Sequence, residues 1–147
     1  MDIEEKKKKS ALKAFELIKK DLNRDTVLGI GTGSTTNYFI EILNNEVLEI
    51  KGVVCSSEAS KHNLETSNIQ ILSLNEVHQI DFYIDGADEF NSRKELIKGG
   101  GGALTREKIL AYSSKSFICI VDDSKYSNLL GNFPVPIEVI ELARSAI

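Results

Sequence analysis

The chain reads as an α/β domain built on a mostly parallel sheet, and three observations predict this. Apolar, largely β-branched runs at 26–31, 51–55, 69–72, 81–84 and 116–121 alternate with segments of helical period, the pattern of βαβ units. The first run passes through a Gly/Ser/Thr turn, Thr32-Gly33-Ser34-Thr35-Thr36, into a helical pattern. The fourth delivers Asp85-Gly86-Ala87-Asp88-Glu89 to a strand exit, and open α/β sheets bind ligands beyond the C-terminal ends of their strands.

In chain order, Ala11, Leu12, Phe15, Leu17 and Ile18 recur with helical spacing, so an amphipathic helix opens the chain and ends near Asn23. The run Lys6-Lys7-Lys8-Lys9 stands beside Asp2, Glu4 and Glu5 and reads as the solvated entrance to that helix. Residues 26–31 suit a buried parallel strand. Tyr38, Phe39, Ile42 and Leu43 mark the second helix. After the strand at 51–55, Ser56-Ser57-Glu58-Ala59-Ser60 has the capping pattern of a third, and Ser56 is placed to face the same end of the sheet. A short strand at 69–72 and another at 81–84 follow. Residues 103–110 are helical in pattern, with Ile109 and Leu110 expected on the buried side and Glu107 within the first two turns. Residues 116–121 are the strongest strand, and Lys125 follows its C-terminal end. Residues 131–136 hold both prolines and read as a linker, with a last helical pattern at 137–147.

The turn at 32–36 favours a phosphate. Glycines remove side chains that block close approach, a helix N-terminus offers free N–H groups and partial positive charge, and the hydroxyls add donors. Ser and Thr also cap ordinary helices, but the hydroxyls here, with Gly31 and Gly33, exceed what a cap requires. A dinucleotide fingerprint needs a third glycine where Thr36 stands, and a P-loop needs Gly-Lys-Ser/Thr. Asp85 and Asp88 are close enough to converge on a small ligand if Gly86 turns the chain sharply, and Lys98-Gly99-Gly100-Gly101-Gly102 can bring amides to an anion.

At 147 residues, the length suits one domain that buries roughly 68–70% of its unfolded surface. A formal net charge of −4 with 27% charged residues points to neither nucleic acid nor membrane as a partner. Cys55 and Cys119 lie inside strand-like runs without metal-ligand spacing, as expected of buried thiols in a reducing, cytoplasmic compartment. No apolar stretch approaches the ~20 residues of a membrane span, and His62 and His78 read as surface residues. No metal site and no serine-nucleophile elbow are expected.

Four stretches carry a resemblance. Gly29-Ile-Gly-Thr-Gly-Ser-Thr35, Tyr83-Ile-Asp-Gly-Ala-Asp-Glu89, Leu96-Ile-Lys-Gly-Gly-Gly-Gly102-Ala-Leu-Thr-Arg-Glu-Lys108 and Phe133-Pro-Val-Pro-Ile-Glu-Val139 with Ala143-Arg144-Ser145 resemble the A-type ribose-5-phosphate isomerases in order and spacing. The resemblance runs from about Ser10 to the end. It implies a Rossmann-like three-layer domain at 1–130, with 131–147 a linker and the start of a C-terminal region. It also implies a metal-independent, cofactor-free interconversion of ribose 5-phosphate and ribulose 5-phosphate through a cis-enediolate, in a homodimer. Carried over by position, Glu107 is the base, Asp85 opens the sugar ring and handles hydroxyl protons, Asp88 holds substrate hydroxyls, and Lys98 stabilises the enediolate oxygen with the glycine amides. Substrate contacts fall on Thr32, Gly33, Ser34, Thr35, Asp85, Gly86, Ala87, Asp88, Lys98, Gly99, Gly100, Gly101 and Lys125. The chemistry agrees: a C–H beside a carbonyl needs a positioned base and an oxyanion donor. Members of that family run on into a small second α/β domain and a returning segment that this chain lacks, so an exposed apolar sheet edge is expected. The other readings are a non-catalytic sugar-phosphate-binding domain, an inactive remnant of the isomerase, and a nucleotide-binding domain.

Overall fold

The computed structural model describes residues 1–64 and 67–147. Helix α1 (Ile3–Lys19) starts early because Asp2 caps it: its carboxylate accepts from Glu5 N at 2.8 Å, and Glu5 accepts from Asp2 N at 3.2 Å. The lysine run therefore lies within the helix and not at its entrance, and the helix stops short of Asn23. Its buried stripe is Ala11, Ala14, Phe15 and Ile18, while Leu12 and Leu17 are exposed.

Strands β1 (Val27–Ile30), β2 (Gly52–Cys55), β3 (Ile80–Asp85) and β6 (Ser114–Cys119) form one sheet in the order β2-β1-β3-β6, every pair parallel. Helices α1, α2 (Ser34–Asn45) and α3 (Glu58–Leu64) cover one face through Phe15, Ile18, Phe39, Leu43 and Leu64, meeting Leu28, Ile30, Val53 and Ile84 of the sheet. Helix α4 (Leu104–Tyr112) covers part of the other face through Leu110 against Val27, Val54, Ile80 and Tyr83. These are the three layers expected. Gly29 is needed where Tyr83 crosses β1, since a Cβ there would sit 2.8 Å from Tyr83 Cδ2.

Several expectations are corrected. The strand at 69–72 reduces to one parallel bridge, Val53 to Ile71, because the chain turns at Ser73 into a capped 3-10 turn at Leu74–Glu76. The last sheet strand begins two residues earlier than expected and pairs on one side only, leaving Phe117 37% exposed on an unpaired edge. Ile109 is exposed, and the buried face of α4 is Glu107 with Leu110. A two-stranded antiparallel hairpin, β4 (Glu89–Phe90) and β5 (Leu96–Ile97), was not anticipated. The helix expected at 137–147 is one 3-10 turn, Glu141–Ala143. Ile137, Ile140 and Leu142 are 73%, 71% and 91% exposed, and a helix with nothing to bury its apolar face gains little stability. Both cysteines are half-buried free thiols, pushed by burial to about 12 at Cys55 and about 11 at Cys119. Both histidines are exposed. Among the described residues no helix is long and apolar enough to cross a membrane.

Candidate active site

The C-terminal ends of β1, β3 and β6 open onto a cleft of about 180 Å³ lined by Thr32, Gly33, Ser34, Thr35, Thr36, Gly86, Ala87, Asp88, Lys98, Gly99, Gly101, Glu107 and Lys125. Most of the residues expected at a ligand site thus meet in one place.

At one end stands the N-terminus of α2. Gly33 is its N-cap, no side chain caps it and its first turn holds no acidic residue, so its leading N–H groups and partial positive charge face the cleft uncompensated. Gly33 has φ 131°, a conformation that favours glycine. Lys125 reaches the cleft from a 3-10 turn, Asp123–Lys125, after β6. Asp122 caps that turn by accepting from Ser124 N at 2.9 Å, and Lys6 of α1 pairs with Asp123 at 2.7 Å. An uncapped helix terminus beside a lysine suits a phosphate.

At the other end are three charges. Asp85, at the end of β3, is fully buried. Its Oδ1 accepts from Thr32 N at 3.1 Å and Gly86 N at 2.7 Å, and its Oδ2 from Tyr83 Oη at 2.5 Å and Lys98 Nζ at 2.8 Å. Lys98 follows β5 and also donates to the Gly86 carbonyl. Glu107 is on the sheet-facing side of α4, one turn before Leu110 and only 3% exposed. Its Oε2 makes no hydrogen bond and lies 3.6 Å from Lys98 Nζ. Burial, then the charge of Asp85, push the Glu107 carboxyl above the usual range, with Lys98 opposing. A buried carboxylate with a free oxygen beside an ammonium can accept a proton from a ligand while the ammonium faces negative charge that develops nearby.

The glycine run joins the two ends. Gly99 and Gly102 take φ of 101° and 81°, and Gly100 N donates to Asp88 Oδ2 at 2.8 Å. Segment 131–138 braces this loop from outside. Glu89 accepts from Gly131 N at 2.8 Å, Asn132 N at 3.3 Å and Phe133 N at 3.4 Å. A Cβ on Gly100 would lie 2.7 Å from the Phe133 ring, and Glu138 accepts from Thr105 N of α4 at 2.7 Å.

Two of the expected residues do not line the cleft. Asp85 lies beneath its floor with every oxygen engaged, and Gly100 spends its N–H on Asp88. Tyr83, a strand residue by its pattern, joins the site through its bond to Asp85. The period-two rule points to it, because residue 83 shares a strand face with residue 85. Ser56 is buried behind the cleft, its hydroxyl 2.8 Å from that of Thr32. Among the described residues no group of three or more His, Cys, Asp or Glu side chains could hold a metal ion.

The family described as Ribose 5-phosphate isomerase A (phosphoriboisomerase A) matches residues 52–147. A ribose 5-phosphate isomerase A from Neisseria gonorrhoeae superposes with TM-score 0.91 at 47% identity, covering 99% of this chain and 63% of that one. A D-ribose-5-phosphate isomerase in complex with phospho-erythronic acid gives 0.90 at 43% identity, covering 99% and 64%. The enzyme from Methanocaldococcus jannaschii gives 0.88 at 36% identity, covering 97% and 64%. The chain thus spans less than two thirds of the length of these solved relatives.

Proposed function

The chain belongs to the ribose 5-phosphate isomerase A family, and we propose that it interconverts D-ribose 5-phosphate and D-ribulose 5-phosphate through a cis-enediolate. The observation that carries this reading is Glu107, a buried carboxylate whose Oε2 accepts no hydrogen bond among the described residues and lies in an ion pair 3.6 Å from Lys98 Nζ. A sugar-phosphate sensor would need the α2 terminus and Lys125 but has no use for that pair.

In this reading the phosphate sits on the first turn of α2, with Ser34, Thr35 and Lys125, and the sugar extends toward Glu107. Asp88, on the cleft wall, carries the anomeric O1 proton to the ring oxygen as the C1–O4 bond breaks and the sugar opens, leaving an O4 hydroxyl that Asp88 holds. Asp85, fully buried and holding four donors, acts on the substrate only through Lys98. Glu107 removes the C2 proton of the open-chain aldose, the C2 electrons form the enediolate double bond, and O1 takes up the carbonyl electrons. Lys98, with the amides of Gly99 and Gly101 on the cleft wall, stabilises that oxygen. Glu107 returns the proton to C1 while the O2 proton passes to O1, leaving the ketose. Hydrogen and electrons only move within the substrate, so a base and an oxyanion stabiliser suffice without a cofactor. The pentose phosphate pathway, a cytoplasmic location and a homodimer belong to the same proposal, supported by the family and by two free thiols.

The test is conversion of ribose 5-phosphate by the purified chain in EDTA, with Glu107→Gln as the control. Turnover in the parent and a loss of about 10²–10⁴-fold in the variant, which cannot take up a proton, is the expected result. No turnover, with ribose 5-phosphate still raising the melting temperature, would establish the binding-only reading. Equal turnover in both proteins would remove Glu107 from its role.

A further inference from the structure

Resting on the isomerase reading, we propose that Tyr83 is a positioning residue for the reaction: its hydroxyl shares Asp85 Oδ2 with Lys98 and so keeps the ammonium extended toward Glu107 and the cleft.

The residues dictate this division. A carboxylate is acceptor-only, with about four lone-pair sites, and Asp85 fills them with two backbone N–H groups on Oδ1 and with Tyr83 and Lys98 on Oδ2. Lys98 has three protons. One goes to Asp85 at 2.8 Å and one to the Gly86 carbonyl, which leaves the third for Glu107, at 3.6 Å, or a ligand. How far the ammonium leans toward Asp85 depends on how much of Oδ2 another donor has taken. Tyr83 is that donor, at 2.5 Å.

The phenol has nowhere else to go. Its ring is fully buried, lies over Gly29 and stacks on Phe117 with centroids 5.3 Å apart. The Tyr83 proton is committed to Asp85, an acceptor-only group.

Without the phenol hydroxyl, Oδ2 is left to Lys98 alone. The ammonium then draws toward Asp85, away from the developing oxyanion, and Glu107 loses part of its cation while facing the less screened charge of Asp85. The charged groups facing Glu107 are Asp85 from β3, Asp88 from the acidic turn and Lys98 after β5, and of these only the Asp85–Lys98 balance involves Tyr83.

The variant Tyr83→Phe keeps the buried ring and deletes the hydroxyl. The expected result is a fall of about 10–100-fold in kcat with KM for ribose 5-phosphate within about threefold, less than the loss of a direct oxyanion donor. Independently of turnover, carboxyl-carbon NMR should show the Glu107 titration midpoint rising by about half a unit or more. The parent supplies a second measurement if Tyr83→Phe does not fold: the Tyr83 hydroxyl proton held against Asp85 should appear by proton NMR as a slowly exchanging downfield resonance. An unmoved midpoint in folded Tyr83→Phe, no such resonance in the parent, or kcat within twofold of the parent, would overturn the proposal. A parent chain without turnover would overturn the isomerase reading instead, and the NMR midpoints would still decide the role of Tyr83.

Discussion

Substituting Gly31 by alanine tests whether the site depends on a buried Asp85. Gly31 ends the run that carries β1 into the Gly/Ser/Thr turn at 32–36, and its N–H donates to the Ile84 carbonyl at 2.8 Å. A Cβ there would lie 2.0 Å from both Cγ and Oδ1 of Asp85 and 2.4 Å from its Cβ. The methyl and the carboxylate therefore compete for one volume. Asp85 cannot swing aside cheaply, because four donors hold it and it is fully buried. Forcing a methyl group into such a place costs about 1–3 kcal/mol. Breaking one hydrogen bond to a buried charge adds about 1.5–3 kcal/mol, so the sum is roughly 2.5–6 kcal/mol. For a domain of about this size each kcal/mol lowers the melting temperature by about 2–4 °C, so Gly31→Ala should melt roughly 5–24 °C below the parent. Ribose 5-phosphate turnover should fall with it, since displaced Asp85 no longer holds Lys98. Gly101→Ala is the control for stability. Nothing lies within 4 Å of a Cβ at that position, so it should be neutral or gain up to about 1 kcal/mol. Thermal unfolding followed by circular dichroism, together with the isomerase assay, reads both effects. A Gly31→Ala protein that melts within about 2 °C of the parent and turns over normally would refute the reasoning.

Two carboxylates that burial or hydrogen bonding has shifted give three further predictions. The Glu107 carboxyl is raised by burial and by Asp85, so the acid limb of kcat/KM should lie above the ordinary glutamate value of about 4.3, and a limb at or below that value would show that Glu107 is not the base. The same shift bears on stability. A raised folded pKa means that the folded state holds the proton more tightly, so this contribution to stability grows as pH falls through the folded value toward the unfolded one. Glu107→Gln should then melt above the parent at pH 8, with the gap closing in acid, and a gap independent of pH would exclude the linkage. Glu89 is shifted the other way, held below the usual range chiefly by the Gly131 N–H, with Phe133 N and Asn132 N adding to it. Its contribution is present above the unfolded value and lost as pH falls through the folded one. Glu89→Ala should release residues 131–138 from the glycine loop, which limited proteolysis would report as faster cleavage there, and an unchanged cleavage rate would deny Glu89 that role.

What the sequence determined by itself was everything set by short-range chemistry. Alternating strands and helices follow from hydrophobic period, the helix-terminus end of the cleft from Gly33, Ser34 and Thr35 between a strand and a helix, and its other side from Asp85 to Asp88 and Lys98 to Gly102, because glycines, hydroxyls and strand exits declare themselves within a few residues. The tertiary structure alone decided how the charges are used. Thr32 reaches Asp85 across 53 positions of sequence and Lys98 across 13, and nothing local shows that Asp85 lies beneath the cleft with every oxygen engaged, or that Glu107 is buried beside Lys98. The same holds where local pattern misled. Ile109 fits a buried helical stripe and is exposed, residues 137–147 fit a helix yet form one 3-10 turn, and the hairpin of β4 and β5 is too short for any period to reveal. Periodicity says which residues would share a face. Whether that face meets a partner, and which charges then face each other without water, depends on contacts between distant parts of the chain, and it is burial that gives a carboxylate or an ammonium its altered chemistry.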